Sequence, residues 1–231
     1  TYISGAAVVK AAEQVADRIR IRATQMLNER KDGEEITAEK IVLAGGKAVA
    51  PDGRFISHAD IALNALHHTE QEQIMGIGSY YSKSSPPPFA AQFAEITVDI
   101  ETGQLIVDRL VMAVDGGVIV NPATASGQIE GGMAQALGYA VCEEMVYDDE
   151  GRIREKDLVD YHIFRANEMP VLETIFIETY EPTHPFGVKA VAEIPMDGVA
   201  PAVGNAVLDA CGADVLSNPL TPERNWRALR S

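Results

Sequence analysis

One glutamate, Glu193, stands inside a run of small and apolar residues, HPFGVKAVAEIPMDG at positions 184–198. Its apolar neighbours are Val191, Ala192, Ile194 and Pro195. An ionised carboxylate in apolar surroundings must be paired, or its pKa rises until it keeps its proton. Carboxylates of this kind tend to mark functional sites, so Glu193 is a candidate for acid–base chemistry. A surface glutamate at the tip of a loop would fit the same neighbours.

A second candidate site lies in the sequence after Asn121 and Pro122, which together form a helix-start signal. One stripe at helical spacing is apolar: Ile129, Met133, Leu137 and Val141. A second stripe is polar or lacks side chains: Gln128, Gly131, Gly132 and Gln135. A glycine inside a helix costs about 1 kcal/mol relative to alanine, so two adjacent glycines call for a reason. Close packing against another backbone and close approach of a ligand, bound by the two glutamine amides, both remain open.

The overall composition limits the kinds of partner that the chain can bind. Its 231 residues are 46% hydrophobic and 23% charged, as in a globular protein with a real core. The formal net charge of −15 disfavours binding to nucleic acid and to anionic lipid. Cys142 and Cys211, the two cysteines, lack the spacing of a zinc or iron–sulfur site, so we expect no protein ligand to a metal. No apolar run reaches membrane-spanning length and no export signal is visible, so we expect a cytoplasmic protein.

The elements expected in the first third of the chain follow from local signals. Helical periodicity predicts one long helix over residues 5–31, with Ser4 as its N-cap and Gly33 as its stop. Short strands around turns are predicted over 39–57. A short helix capped by Ser57 and a proline-rich loop follow. The GIGSYY stretch in that loop lacks the strand–GxGxxG–helix context of a dinucleotide site.

The rest of the chain mixes hairpins and helices. The pattern predicts a long hairpin over 89–115, a second hairpin in VYDDEGRI, a strand near 173–180, and helices over 199–213 and after Thr221. Because strands and helices do not alternate regularly, we expect an α+β fold rather than a parallel α/β sheet. Residues 1–231 are expected to form a single domain or two closely packed lobes.

Three segments, taken in order, resemble a known family. They are residues 93–153, which contain NP…GQIEGG…G, then GVKAVAE at 187–193, then TPER near the end of the chain. Over nearly all of its length the sequence resembles the C-terminal part of the molybdopterin-binding chain of the xanthine dehydrogenase/aldehyde oxidase family. The resemblance implies an α+β molybdenum-cofactor-binding domain of that type.

The resemblance also implies roles for particular residues. Glu193 corresponds to the active-site base, Val191 and Ala192 line the molybdopterin through their backbone, and Gln128 lies against the pterin. The implied reaction hydroxylates an N-heterocycle, a purine or an aldehyde with water-derived oxygen. An apolar pocket would bring the basicity of Glu193 toward the working pH. The family usually has glycine in place of Ala192, so its methyl group could crowd the cofactor.

The implied enzyme needs further components. The cofactor is molybdenum–molybdopterin, with the cytosine dinucleotide form among the alternatives, and iron–sulfur clusters and FAD are expected on partner chains or domains. The family's earlier cofactor-binding segments do not occur in the sequence. We therefore expect the N-terminal half of the molybdenum subunit, an iron–sulfur subunit and an FAD subunit as partners. A carbon monoxide dehydrogenase, an aromatic thioester reductase and a non-catalytic assembly domain remain as alternatives.

Overall fold

Two compact units make up the chain, Thr1–Lys83 and Ser84–Ser231. The computed structural model describes residues 2–68, 70–184 and 186–230. The boundary between the units falls within the run of serines and prolines at 82–88. Within the described residues, we find no helix that is both long and apolar enough to cross a membrane.

The first unit packs a long helix and a short one around a small antiparallel sheet. Its elements are α1 (Tyr2–Glu29), a 3-10 turn (Ala38–Lys40), β1 (Val42–Ala44), β2 (Lys47–Val49), β3 (Phe55–Ser57) and α2 (His58–His67), with the strands in the order β1-β2-β3. The predicted cap is confirmed at Ser57, whose side chain accepts a hydrogen bond from the backbone N–H of Asp60. The core contains Ala23, Leu27, Ile56 and Ile61.

The predicted bounds of α1 were wrong at both ends. The helix already begins at Tyr2, so Ser4 lies inside its first turn and is not the N-cap. It ends at Glu29, before the predicted stop at Gly33, because Lys31 adopts a left-handed backbone with φ of 52°. A left-handed residue cannot continue a right-handed helix.

The glycines of GIGSYY have a packing role in the first unit. A Cβ on Gly76 would lie 2.1 Å from the carbonyl oxygen of Ala11, and a Cβ on Gly78 would lie 2.1 Å from that of Ala7. The Gln14 side chain accepts a hydrogen bond from the N–H of Ile77 and donates one to the carbonyl oxygen of Ile77. This segment therefore lies flush along α1, which accounts for its glycines without a nucleotide.

In its described residues, the second unit contains a mixed three-stranded sheet and four helices. Its elements are β4 (Phe89–Val98), β5 (Leu105–Asp115), α3 (Pro122–Val141), β6 (Val171–Phe176), α4 (Ile194–Asp197), α5 (Val199–Cys211) and α6 (Pro222–Ala228). β4 and β5 form the predicted antiparallel hairpin, and β6 pairs parallel with β5. The main core joins β5, α3 and α5 through Leu110, Met112, Val114, Ile129, Met133, Leu137, Val199 and Val203. The predicted α+β class is confirmed.

One strand prediction in this unit was wrong, and a second strand is present with shifted bounds. VYDDEGRI forms one isolated bridge, between Tyr147 and Ile153, instead of a hairpin of two strands. Its arms are mostly exposed, so little apolar burial is available to extend the pairing. β6 covers Val171–Phe176 rather than 173–180, because its partner β5 ends at Asp115. The last rung joins the N–H of Ile177 to the carbonyl oxygen of Val114.

Candidate functional site

Glu193 lies on the surface of this chain, directly before the one-turn helix α4. The sequence left both an enclosed and a surface glutamate open, and within this chain the surface position is the one observed. The two residues that follow it turn inward and leave the glutamate side chain outside: Pro195 is buried, and Ile194 packs against the main core. The apolar run therefore anchors the backbone on which the carboxylate is carried.

A mostly buried ion pair anchors the backbone on the N-terminal side of Glu193. Lys189 Nζ lies 2.7 Å from Asp115 Oδ2, and the two side chains are only 10% and 14% exposed. Asp115 Oδ1 also accepts hydrogen bonds from the N–H of Gly117 and the hydroxyl of Thr179. Burial alone would raise the pKa of Asp115, but the hydrogen bonds from Lys189, Gly117 and Thr179 hold it below its ordinary value.

The residues between this ion pair and Glu193 pack against the turn that follows β5. The N–H of Lys189 donates to the carbonyl oxygen of Gly116 at 2.8 Å. A Cβ on Gly116 would lie 2.4 Å from Val191 Cγ1, so glycine is needed for this contact. Val191 is half-buried as a result, whereas Ala192 is exposed. The methyl group of Ala192 therefore lies on the surface of this chain.

Two side chains and one glycine hold the backbone on the C-terminal side of Glu193. Gln92 Nε2 donates to the carbonyl oxygen of Pro195 at 2.8 Å. The hydroxyl of Tyr139 donates to the carbonyl oxygen of Met196 at 2.6 Å. The ring of Pro195 rests on Gly132, where a Cβ would come within 2.6 Å of Pro195 Cβ. The sheet and α3 thus fix this segment together.

The two adjacent glycines of α3 have different surroundings. Gly132 is buried against Pro195, so close packing explains it, although the partner is a side chain and not a backbone. Gly131 is exposed, and apart from its chain neighbours and the backbone of its own helix no heavy atom of the described residues lies within 4 Å of its hypothetical Cβ. Gly127 is equally open. Packing within this chain therefore does not explain Gly127 and Gly131.

Gln128 and Gln135 are both exposed on α3, beside these open glycines. They give the helix an outer surface with amide groups and little side-chain bulk, which allows a flat ligand to approach the backbone closely. In the part of the chain that the structure describes, no group of three or more His, Cys, Asp or Glu side chains is arranged to hold a metal ion. The residues present thus fit a cofactor held by backbone and amide contacts.

The structure joins the two candidate sites through α3. The same helix carries Gln128 on its exposed surface, contacts Pro195 through Gly132 and binds Met196 through Tyr139. Sequence reasoning missed Gln92 and Tyr139, because their partners are backbone carbonyls 103 and 57 residues away. It also missed the Asp115–Lys189 pair, for which a lysine inside the apolar run was the available signal.

Comparison with known proteins gives the same family that the sequence motifs indicated. A family model described as a molybdopterin cofactor-binding domain matches residues 1–170. The putative xanthine dehydrogenase molybdenum-binding subunit of Escherichia coli (strain K12) is 33% identical over 229 residues, which are 97% of this chain and 30% of that protein. The carbon monoxide dehydrogenase large chain of Hydrogenophaga pseudoflava is 30% identical over 236 residues, which are 100% of this chain and 29% of that protein.

Solved structures agree with this assignment. Quinoline 2-oxidoreductase from Pseudomonas putida 86 matches with a TM-score of 0.81 and 26% identity, over 99% of this chain and 30% of that chain. A Cu,Mo-CO dehydrogenase matches with a TM-score of 0.80 and 25% identity, over 97% of this chain and 28% of that chain. The chain spans about 30% of the length of these relatives. It belongs to the molybdopterin cofactor-binding domain family.

Proposed function

We propose that this chain is part of a molybdenum hydroxylase in which Glu193 is the active-site base. The observation that carries the proposal is the construction of the segment around Glu193. Its carboxylate is exposed, yet the backbone is fixed on one side by the Asp115–Lys189 pair and on the other by Gln92 and Tyr139. These anchors hold the carboxylate at one place on the surface, as a catalytic group requires.

Gln128 and the backbone of Val191 and Ala192 are the proposed cofactor contacts. Gln128 would bind the pterin through its exposed amide, and the open surface at Gly131 would let the ring system approach α3. When bound, molybdenum–molybdopterin supplies the redox centre that accepts electrons from the substrate. The form with a cytosine dinucleotide belongs to this proposal as an alternative.

The role of Glu193 is to accept a proton while a water-derived oxygen is added to the substrate. A general base works best when its pKa lies near the working pH. We infer that the rest of the enzyme and the substrate cover Glu193. Removal of water from the carboxylate then raises its basicity. The substrate class is an N-heterocycle, a purine or an aldehyde.

The proposed assembly contains chain segments that are not in this sequence. The relatives are named as a molybdenum-binding subunit and as a large chain, and this chain spans about 30% of their length. We therefore propose as partners the N-terminal half of the molybdenum subunit, an iron–sulfur subunit and an FAD subunit. The iron–sulfur clusters and FAD would carry the electrons away, in a complex located in the cytoplasm.

Metal analysis tests the cofactor part of this proposal. The chain would be produced alone and together with the remainder of its molybdenum subunit, in a host that makes the cofactor. Molybdenum should appear in the combined sample, and Gln128→Ala should reduce its occupancy. Gln104→Ala, which changes an exposed glutamine in the turn of the β4–β5 hairpin, is the matched control. A folded complex without molybdenum would instead favour a non-catalytic assembly domain.

A second candidate activity is oxidation of carbon monoxide. It is favoured by the 30% identity to a carbon monoxide dehydrogenase large chain and by the TM-score of 0.80 to a CO dehydrogenase structure. Reduction of an aromatic thioester is the remaining alternative with the same cofactor. A substrate screen of the assembled enzyme separates these activities. Carbon monoxide, an N-heterocycle or an aldehyde would each reduce the oxidised enzyme, whereas an aromatic thioester would take electrons from the pre-reduced enzyme.

A further inference from the structure

Consecutive carbonyl groups just after Glu193 are held by side chains from two different elements. Gln92 on β4 binds the carbonyl oxygen of Pro195, and Tyr139 on α3 binds that of Met196. Both carbonyls belong to α4, which has only four residues. A helix this short contributes few hydrogen bonds of its own, so outside partners decide where its backbone lies.

We propose that Gln92 and Tyr139 are positioning residues that fix the place of the Glu193 carboxylate relative to α3. The inference rests on the proposed function of Glu193 as the base. Neither residue has to touch the substrate, because both act through the backbone that carries Glu193. A misplacement of about 1 Å at a reacting group can lower the rate by on the order of a hundredfold, so this backbone must be held tightly.

The geometry of Tyr139 suits this role. Tyr139 and Gly132 are two turns apart on α3, so they lie on the same side of the helix, and both contact the Glu193 segment. Burial, assisted by the nearby Asp197, raises the pKa of the Tyr139 hydroxyl. The hydroxyl therefore remains protonated and donates its hydrogen bond throughout the neutral range. Because α3 also carries Gln128, one helix would position both the cofactor and the base.

The environment of Gln92 is difficult to explain by packing alone. Its Nε2 group lies 2.8 Å from the carbonyl oxygen of Pro195 and 3.2 Å from the sulfur of Met112, which fixes the orientation of the amide. Its Oε1 atom is buried against Gly198 and accepts no hydrogen bond from the described residues. An unpaired buried acceptor is unfavourable, and a methionine of similar length would avoid it. We attribute the presence of an amide at position 92 to its hydrogen bond with the carbonyl oxygen of Pro195.

The first experiment uses the assembled enzyme and the variants Tyr139→Phe and Gln92→Met. Both should retain molybdenum, and their kcat should fall about tenfold to a hundredfold while KM changes less than about threefold. Tyr161→Phe is the matched control, since it removes a tyrosine hydrogen bond to Glu143 elsewhere in the same unit. Its kcat should stay within about twofold of the unmodified enzyme. An unchanged kcat in both Tyr139→Phe and Gln92→Met would overturn the proposal.

A double-mutant cycle with Glu193→Gln separates positioning from a general structural role. If Tyr139 acts through Glu193, Tyr139→Phe should lower turnover less than about twofold when Glu193 is already glutamine. Full additivity of the two effects would overturn the positioning role. If Tyr139→Phe fails to assemble, the same cycle with Gln92→Met gives the decision. A Glu193→Gln variant with normal turnover would refute the proposed base itself, which is a different result.

Discussion

The pair of variants Gly131→Ala and Gly132→Ala tests how the Glu193 segment is packed on α3. Both changes replace a glycine inside the same helix, so both gain about 1 kcal/mol in helix propensity. They differ in what the new methyl group meets. At position 131 it enters open space, whereas at position 132 it would lie 2.6 Å from Pro195 Cβ.

The contact at position 132 determines how large the difference in stability between the two variants should be. A Cβ normally stays at least about 3.4 Å from another carbon, so Pro195 or α3 must move by nearly an ångström. Overpacking of this kind typically costs about 1–3 kcal/mol. Because the propensity gain is common to both variants, Gly132→Ala should be less stable than Gly131→Ala by about 1–3 kcal/mol.

Urea unfolding of the two variants and the unmodified protein, followed by circular dichroism, measures this difference. Gly131→Ala should match or exceed the unmodified protein in its free energy of unfolding. Equal stability of the two variants would refute the packing of Pro195 on Gly132. A separate measurement on the assembled enzyme concerns the cofactor. There, Gly131→Ala is expected to reduce the molybdenum occupancy if the cofactor lies against this surface.

Three further predictions concern ionisable groups. Because the folded-state pKa of Asp115 is lowered, its stabilising contribution should be complete above the unfolded-state pKa of about 3.9 and decrease as pH falls through the folded-state pKa. Below pH 4 the free energy of unfolding should therefore fall less steeply in Asp115→Asn than in the unmodified protein, and parallel curves would contradict this. Lys189→Met should lower the free energy of unfolding by about 3 kcal/mol at pH 7, since it leaves a mostly buried carboxylate unpaired, and a loss below about 1 kcal/mol would contradict it. Burial raises the pKa of the Cys142 thiol to about 11, so in a Cys211→Ser variant its alkylation at pH 8 should be on the order of a hundredfold slower in the folded than in the denatured protein; equal rates would contradict it.

Elements with strong local signals were predictable from the sequence. The β4–β5 hairpin has alternating apolar residues around a glycine turn, and it forms as expected. The helix after Asn121 starts with a proline, and the Asn121 side chain caps it by accepting a hydrogen bond from the N–H of Thr124. The terminal helix has the same arrangement at Thr221 and Pro222. In each case residues close in sequence determine the structure.

Features that depend on distant partners were not predictable. β6 stops where β5 stops, which the sequence around residue 176 does not encode. The apolar neighbours of Glu193 left both a buried and an exposed carboxylate open, and only the packing of Pro195 and Ile194 shows on which side the glutamate lies. The bonds from Gln92 and Tyr139 go to backbone carbonyls, which every residue has, so no residue type signals them.

The measurement that tests the central claim most directly is turnover of Glu193→Gln in the assembled enzyme, together with its molybdenum content. Glu150→Gln, which changes an exposed glutamate in the turn near Asp148, is the control. Loss of a general base should lower kcat by on the order of a hundredfold or more, with molybdenum occupancy and the control unchanged. Turnover within a few-fold of the unmodified enzyme, at full occupancy, would show that Glu193 is not the base.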